Sequence, residues 1–315
     1  MIIDAHCHLW QRDMLPEKFW WSSAYMMSQM VPNSPPVERV LQSDLMIRTM
    51  NGSAERLLSE MEEAKIDKTI IFPLDWGLAL GEPKNSISDY NKFIADAAKN
   101  YPDKFIPFFS IDPRRPDAEK FFEKALTTWE MKGLKLHPST GYRPDGEECY
   151  KLFKIADEYK VPIITHSGYI MGLKGRTARP EHFDAPTTDF PKVRFSFAHL
   201  YFGNVDELIP LMFLKPNIYC DISAHGQILS MNSPPDLYRQ LRFAMNHEGV
   251  SSRIMFGSDW PITANIMSLA KWVETIENLK SQKVSDILDK YGYRRFRNKE
   301  IKQILGSNAA KFLSL

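Results

Sequence analysis

The 315 residues carry 43% hydrophobic, 25% charged and 12% aromatic side chains, the balance of a folded globular protein, which excludes a disordered chain. Forty basic side chains face thirty-nine acidic ones, a formal charge of +1. No overall field therefore draws the protein to nucleic acid or to an anionic membrane.

The chain opens on an apolar run at 2–5 followed by His6-Cys7-His8. Residues 10–52 then intervene, and they include Phe19-Trp20-Trp21 and Tyr25. A helix is expected after Ser53, with Leu57, Leu58, Met61 and Ala64 at helical spacing. Further β-branched or aromatic runs fall at 69–72, 105–109, 133–136, 162–165, 193–197, 217–220 and 253–256, spaced by about 30 residues, the length of one βα unit. Between them lie amphipathic stretches such as Phe93, Ile94 and Ala97, with Ser88 and Asp117 as candidate caps. Residues 280–315 follow the last unit.

Eight such runs with crossover helices predict a (β/α)8 barrel as a single domain over 1–315, with an insertion at 10–52 and a C-terminal extension at 280–315 decorating it. An open doubly wound sheet is the rival, but it usually has fewer strands and a glycine-rich first turn, which His6-Cys7-His8-Leu9-Trp10 is not. The aromatic insertion reads equally as a lid or subunit contact and as packing onto its own barrel. Three scattered cysteines, Cys7, Cys149 and Cys220, do not make a disulfide framework. Without a leader-like opening or a stretch near the ~20 apolar residues of a membrane span, a soluble cytoplasmic protein is expected.

Side chains at the C-terminal ends of barrel strands converge on one mouth. His6 and His8 end the first run, His166 the fifth, His199 the sixth and Asp259 the eighth. Alternation points His6 and His8 one way and Cys7 the other. Imidazoles with a carboxylate suit one divalent ion, zinc first, with manganese, iron or cobalt also compatible. The fourth run ends Lys135-Leu136-His137, where alternation puts Lys135 and His137 on one face and His137, nearer the end, is a candidate substrate contact. Trp10, Arg48 and His225 are further substrate candidates, although Arg48 reads first as a structural ion pair and His225 equally as a loop residue. His247 is expected on the surface, and the polar stretch 168–186 is a candidate lid.

Taken together, Ile3-Asp4-Ala5-His6-Cys7-His8, Ile164-Thr165-His166-Ser167-Gly168, Phe197-Ala198-His199-Leu200, Phe256-Gly257-Ser258-Asp259-Trp260-Pro261 and Ile304-Leu305-Gly306-Ser307-Asn308-Ala309-Ala310 resemble the amidohydrolase superfamily, specifically the amidohydrolase-related group that includes aminocarboxymuconate-semialdehyde and γ-resorcylate decarboxylases. The resemblance implies that His6, His8, His166 and Asp259 are metal ligands and that His199 orients or deprotonates metal-bound water or holds substrate, with Asp259 a second catalytic group; related two-metal hydrolases carry a bridging lysine or glutamate at the end of the fourth strand, a place that Lys135 could take. It also suggests a homodimer. The expected activity is hydrolysis of a small, carboxylate-bearing substrate through a metal-activated water. The alternative is a non-oxidative decarboxylase using the same ligands. Lesser alternatives are a TatD-type nuclease, against which the missing glutamate of the fourth strand counts, and a non-catalytic metal-binding barrel.

Overall fold

A computed structural model describes residues 1–315. Its strands are β1 (Ile3–Cys7), β2 (Lys68–Ile71), β3 (Phe105–Pro107), β4 (Phe109–Ser110), β5 (Leu134–Leu136), β6 (Ile163–Thr165), β7 (Phe195–Phe197), β8 (Ile218–Asp221) and β9 (Ile254–Met255). Every ladder is parallel, β1-β2-β3 and then β4 through β9 in order. The expected third strand is thus split in two. Pro107 has no N–H to give the ladder, and pairing passes from β2 to β5 at this point: the Phe108 N–H still reaches the Ile71 carbonyl at 2.9 Å, while the Phe109 N–H reaches Gly133 at 2.9 Å. The ring closes between β9 and β1, where Ala5 N–H donates to Phe256, Asp259 N–H to His6 and His8 N–H to Trp260, at 2.9, 2.7 and 2.7 Å. The result is an eight-stranded α/β barrel.

Residues alternate along each strand, so one set faces the axis and the other the helices. Ile3, Ala5, Ile70, Phe72, Phe108, Ile164, Tyr219 and Met255 form a buried interior cluster, joined by Ala309 and Phe312 of the last helix, Asn308–Leu313. The C-terminal extension therefore plugs the barrel as well as flanking it. Phe312 packs on Tyr219 with ring centroids 5.1 Å apart, and Asn308 Nδ2 donates to the carbonyls of Ser251 and Ile254 at 2.9 and 2.7 Å. Gly133 lets the Phe108 ring into this core. An added Cβ would lie 2.3 Å from the ring carbon Cε2, so Gly133→Ala is expected to destabilise the fold by about 1–3 kcal/mol through overpacking. An unchanged urea midpoint would contradict that placement.

Ser53 caps its helix as expected, whereas the helix Ile87–Asn100 is capped by Ser86, not Ser88, in a reciprocal box with Asp89, and Asp117 adopts a left-handed conformation without a side-chain cap bond. The insertion folds as helices Glu17–Met30, Val37–Leu41 and Asp44–Met50. Phe19 and Trp20 are buried, with Phe19 on Trp76 at 4.5 Å, while Trp21 and Tyr25 stack on each other half exposed. One aromatic run thus serves both core and surface. No helix is long and apolar enough to cross a membrane.

Candidate active site and metal centre

The site begins with an irregularity in β1. Asp4 pairs with Thr69 and Cys7 with Ile71, so β1 carries one residue more than β2 over that interval. Strict alternation would put Asp4 on the face of His6 and His8; the extra residue turns it to the side of Cys7 instead. There its carboxylate accepts from Cys7 Sγ at 3.1 Å, from the Ser258 N–H at 2.9 Å and from the His6 N–H at 3.1 Å. Burial pushes the Asp4 carboxyl up to about 6 against the opposing pull of those hydrogen bonds, and it pushes the Cys7 thiol far up. Cys7 is an inert buried thiol whose Sγ, 3.1 Å from Ser258 Oγ, ties β1 to the segment after β9 that carries Asp259.

His6 and His8 face the barrel mouth. His6 Nδ1 lies 2.9 Å from Asp221 Oδ2, and His8 Nδ1 lies 3.2 Å from the Phe72 carbonyl oxygen. A carboxylate and a carbonyl only accept, so both rings carry their hydrogen on Nδ1 and leave Nε2 proton-free. Those Nε2 atoms converge on Asp259 Oδ1, at 3.4 Å from His6 and 3.2 Å from His8, and the three ligand atoms lie within 4.8 Å of one another. Three acceptors with no hydrogen between them repel one another, and the Lys135 ammonium, 3.4 Å from His6 Nε2, only partly offsets this, so the donor set fits a divalent ion. Asp259 is aimed by its own left-handed backbone (φ 57°) and by its N–H bond to the His6 carbonyl. A cis peptide joins Trp260 and Pro261.

His166 and His137 stand opposite, stacked face to face with centroids 4.2 Å apart. His166 Nε2 and His137 Nδ1 are buried without a hydrogen-bond partner. His166 lies beside His199 at 5.1 Å but outside the compact three-atom group of His6, His8 and Asp259; its orphaned nitrogen suits a fourth ligand. His199 opens a turn in which His199, Leu200, Tyr201 and Phe202 all have φ between 46° and 64°, a left-handed arrangement costing about 1–2 kcal/mol per residue. It brings the His199 ring 4.9 Å from that of His6. Lys135 is 1% exposed and makes no salt bridge. Its Nζ lies 3.4 Å from His6 Nε2 and 4.5 Å from the Phe72 ring centroid, and burial lowers its ammonium to about 8 against the opposing pull of Asp221 and Asp259.

The remaining candidates divide. Trp10 is buried, stacks on His8 at 5.4 Å and donates from Nε1 to the Thr49 carbonyl at 2.7 Å, anchoring the insertion to the site wall. Arg48 does not reach the mouth. It is 58% exposed and pairs with Glu60 at 3.4 Å, the structural ion pair, because it lies on the exposed face of a helix whose Met46, Thr49 and Met50 take the buried face. His225 is held by Gln240 at 2.9 Å, with Phe202 between it and His199. His247 is exposed against Phe213. Sequence reasoning missed Asp221 and Ser223. Asp221 is a polar residue closing an apolar run, the same signal that singled out the histidines.

Desolvation is the largest cause of lowered pKa for all five buried histidines: His6, His137 and His199 fall well below 6.5, His166 to about 3, and His8 falls as well. The unfolded chain protonates such groups near 6.5 and the folded one does not, so acidification through that value favours unfolding. Asp4, raised to about 6, gains stability as pH falls through 6 but is one group against five. Each histidine that stays neutral down to pH 5 costs on the order of 2 kcal/mol of stability between pH 7 and pH 5, so metal-free protein is expected to lose at least that much over the range. Urea midpoints at the two values check this, and a flat response would contradict it.

Among solved structures, an uncharacterised TIM-barrel protein from Bordetella bronchiseptica is 20% identical with a TM-score of 0.66, covering 99% of this chain and 98% of that one. A 5-carboxyvanillate decarboxylase from Novosphingobium aromaticivorans, complexed with manganese and 4-hydroxy-3-methoxy-5-nitrobenzoic acid, is 15% identical with a TM-score of 0.66 (100% and 96% covered). A probable 2-pyrone-4,6-dicarboxylic acid hydrolase from Acinetobacter baumannii, with citric acid bound, is 12% identical with a TM-score of 0.64 (100% and 99% covered). No curated protein matches the chain in sequence. The family model Amidohydro_2, described as Amidohydrolase, matches residues 3–315, and the chain belongs to that family.

Proposed function

We propose that the protein is a metal-dependent enzyme that hydrolyses a small carboxylate-bearing substrate, with His6, His8, His166 and Asp259 holding one divalent ion. The observation that carries this reading is the convergence of two proton-free imidazole nitrogens and a carboxylate oxygen on one point. A bound divalent ion supplies Lewis acidity toward a substrate oxygen and a water. Zinc is our first choice for an imidazole and carboxylate set; manganese, which the Novosphingobium decarboxylase carries, is the second. Lys135 offers an unpaired positive charge to the substrate's carboxylate, and His199 and Asp259 move the protons. A homodimer and a reducing cytoplasmic setting, in keeping with three buried free thiols, complete the proposal.

Removal of the carboxylate as carbon dioxide is the second reading. It is favoured by the burial of His6, His8, His137, His166 and His199, all under 5% exposed, because decarboxylation needs no water as reactant. Both readings are tested by supplying zinc- or manganese-loaded protein with carboxylated phenols on one side and with lactones and amides bearing a carboxylate on the other, following carbon dioxide and product. Carbon dioxide release selects the second reading and hydrolytic product the first. A protein that retains no metal and turns over neither group overturns both.

A further inference from the structure

We propose that Asp221 and Ser223 are positioning residues through which one carboxylate sets the tautomers of His6 and His199 together, so that the metal ligand and the proton carrier are prepared by the same group. The inference rests on the reading that His6 ligates the ion and His199 carries a proton. Both residues are fully buried, Asp221 closing β8 and Ser223 following it.

The directions of the hydrogen bonds follow from what each atom can give. Asp221 Oδ2 faces His6 Nδ1 at 2.9 Å. Asp221 Oδ1 receives the backbone N–H of His199 at 3.1 Å, the backbone N–H of Ser223 at 3.0 Å and the Ser223 hydroxyl at short range. An ionised carboxylate has no hydrogen to offer, so the Ser223 hydroxyl spends its single hydrogen on Oδ1. Only lone pairs then remain on Ser223 Oγ, and His199 Nδ1, 2.8 Å away, must be the donor. His199 therefore carries its hydrogen on Nδ1 and presents Nε2 as a proton acceptor.

The same carboxylate holds His6 with Nε2 free for the ion. Supporting groups of this kind fix which nitrogen of a histidine does the chemistry. The Asp221 bond to the His199 N–H also pins the first residue of the left-handed turn, so ring and backbone are set from one anchor.

The experiment is nitrogen-15 NMR of histidine-labelled, metal-free protein, with ring signals assigned through His6→Gln and His199→Gln, alongside zinc affinity and steady-state kinetics of the loaded enzyme. Wild type is expected to show Nδ1–H tautomers at both His6 and His199. Ser223→Ala should release only His199 into a tautomer mixture and lower kcat with KM and zinc affinity little changed, and Ser223→Thr should restore both signal and rate. Asp221→Asn should disturb both rings and weaken zinc binding by about 10–100-fold. An Nε2–H tautomer at His199 in wild type, or a His199 signal indifferent to Ser223→Ala, overturns the proposal even if Asp221→Asn fails to fold. Wild-type protein that holds neither zinc nor manganese while showing both Nδ1–H signals overturns the metal reading instead and leaves the tautomer relay standing.

Discussion

Asp259→Asn is expected to release the metal. The substitution keeps the size of the side chain and removes its charge, so two neutral imidazole nitrogens face a neutral amide where the acceptor set previously included a carboxylate. Loss of a supporting residue around a metal site already costs about 10–100-fold in affinity, and loss of a direct anionic ligand is expected to cost at least about 100-fold. Metal content after dialysis should fall from about one ion per chain to a small fraction of that, and competition with a chelator of known affinity gives the ratio. The effect also has a stability signature. An ion at about 100 times its dissociation constant stabilises the folded state by about 2.7 kcal/mol, so added metal should shift the unfolding midpoint of wild type and leave that of Asp259→Asn nearly in place. A variant that keeps one ion with wild-type affinity would remove Asp259 from the site.

Much of this centre was legible in sequence because barrel geometry turns strand ends into a shared mouth. His6, His8, His199 and Asp259 each end an apolar run, and the fold gathers them. What was not legible depends on departures from regular pairing or on contacts that sequence does not number. Alternation assigns Asp4 to the metal face, and only the extra residue in β1 shows that it turns away to bind Cys7 and Ser258. The third run looked continuous at 105–109, yet Pro107 divides it, and the missing proline N–H was a visible warning. Asp221 reaches His6 although β8 and β1 are not adjacent strands; nothing in their sequence separation announces the contact. Arg48 shows the converse: a cation that sequence places in the connection after β1 lies in the helix Asp44–Met50 and is drawn to Glu60 on the neighbouring helix Ala54–Ala64.

His199→Gln separates proton movement from metal binding. Glutamine keeps a polar side chain able to donate to Ser223, so the turn that begins at residue 199 retains a partner, while the imidazole that exchanges a proton is lost. Since a positioned acid or base contributes typically 10²–10⁴-fold, kcat is expected to fall by about that range, with KM changing much less because Lys135 and the metal ligands are untouched. Metal content should stay near one ion per chain, the opposite of Asp259→Asn. The two variants thus separate the roles of the two residues, since one leaves the enzyme empty and the other leaves it loaded and slow. If His199→Gln retained more than about a tenth of wild-type kcat, proton transfer would have to run through another group, and His137, whose buried Nδ1 has no partner, would be the first to replace.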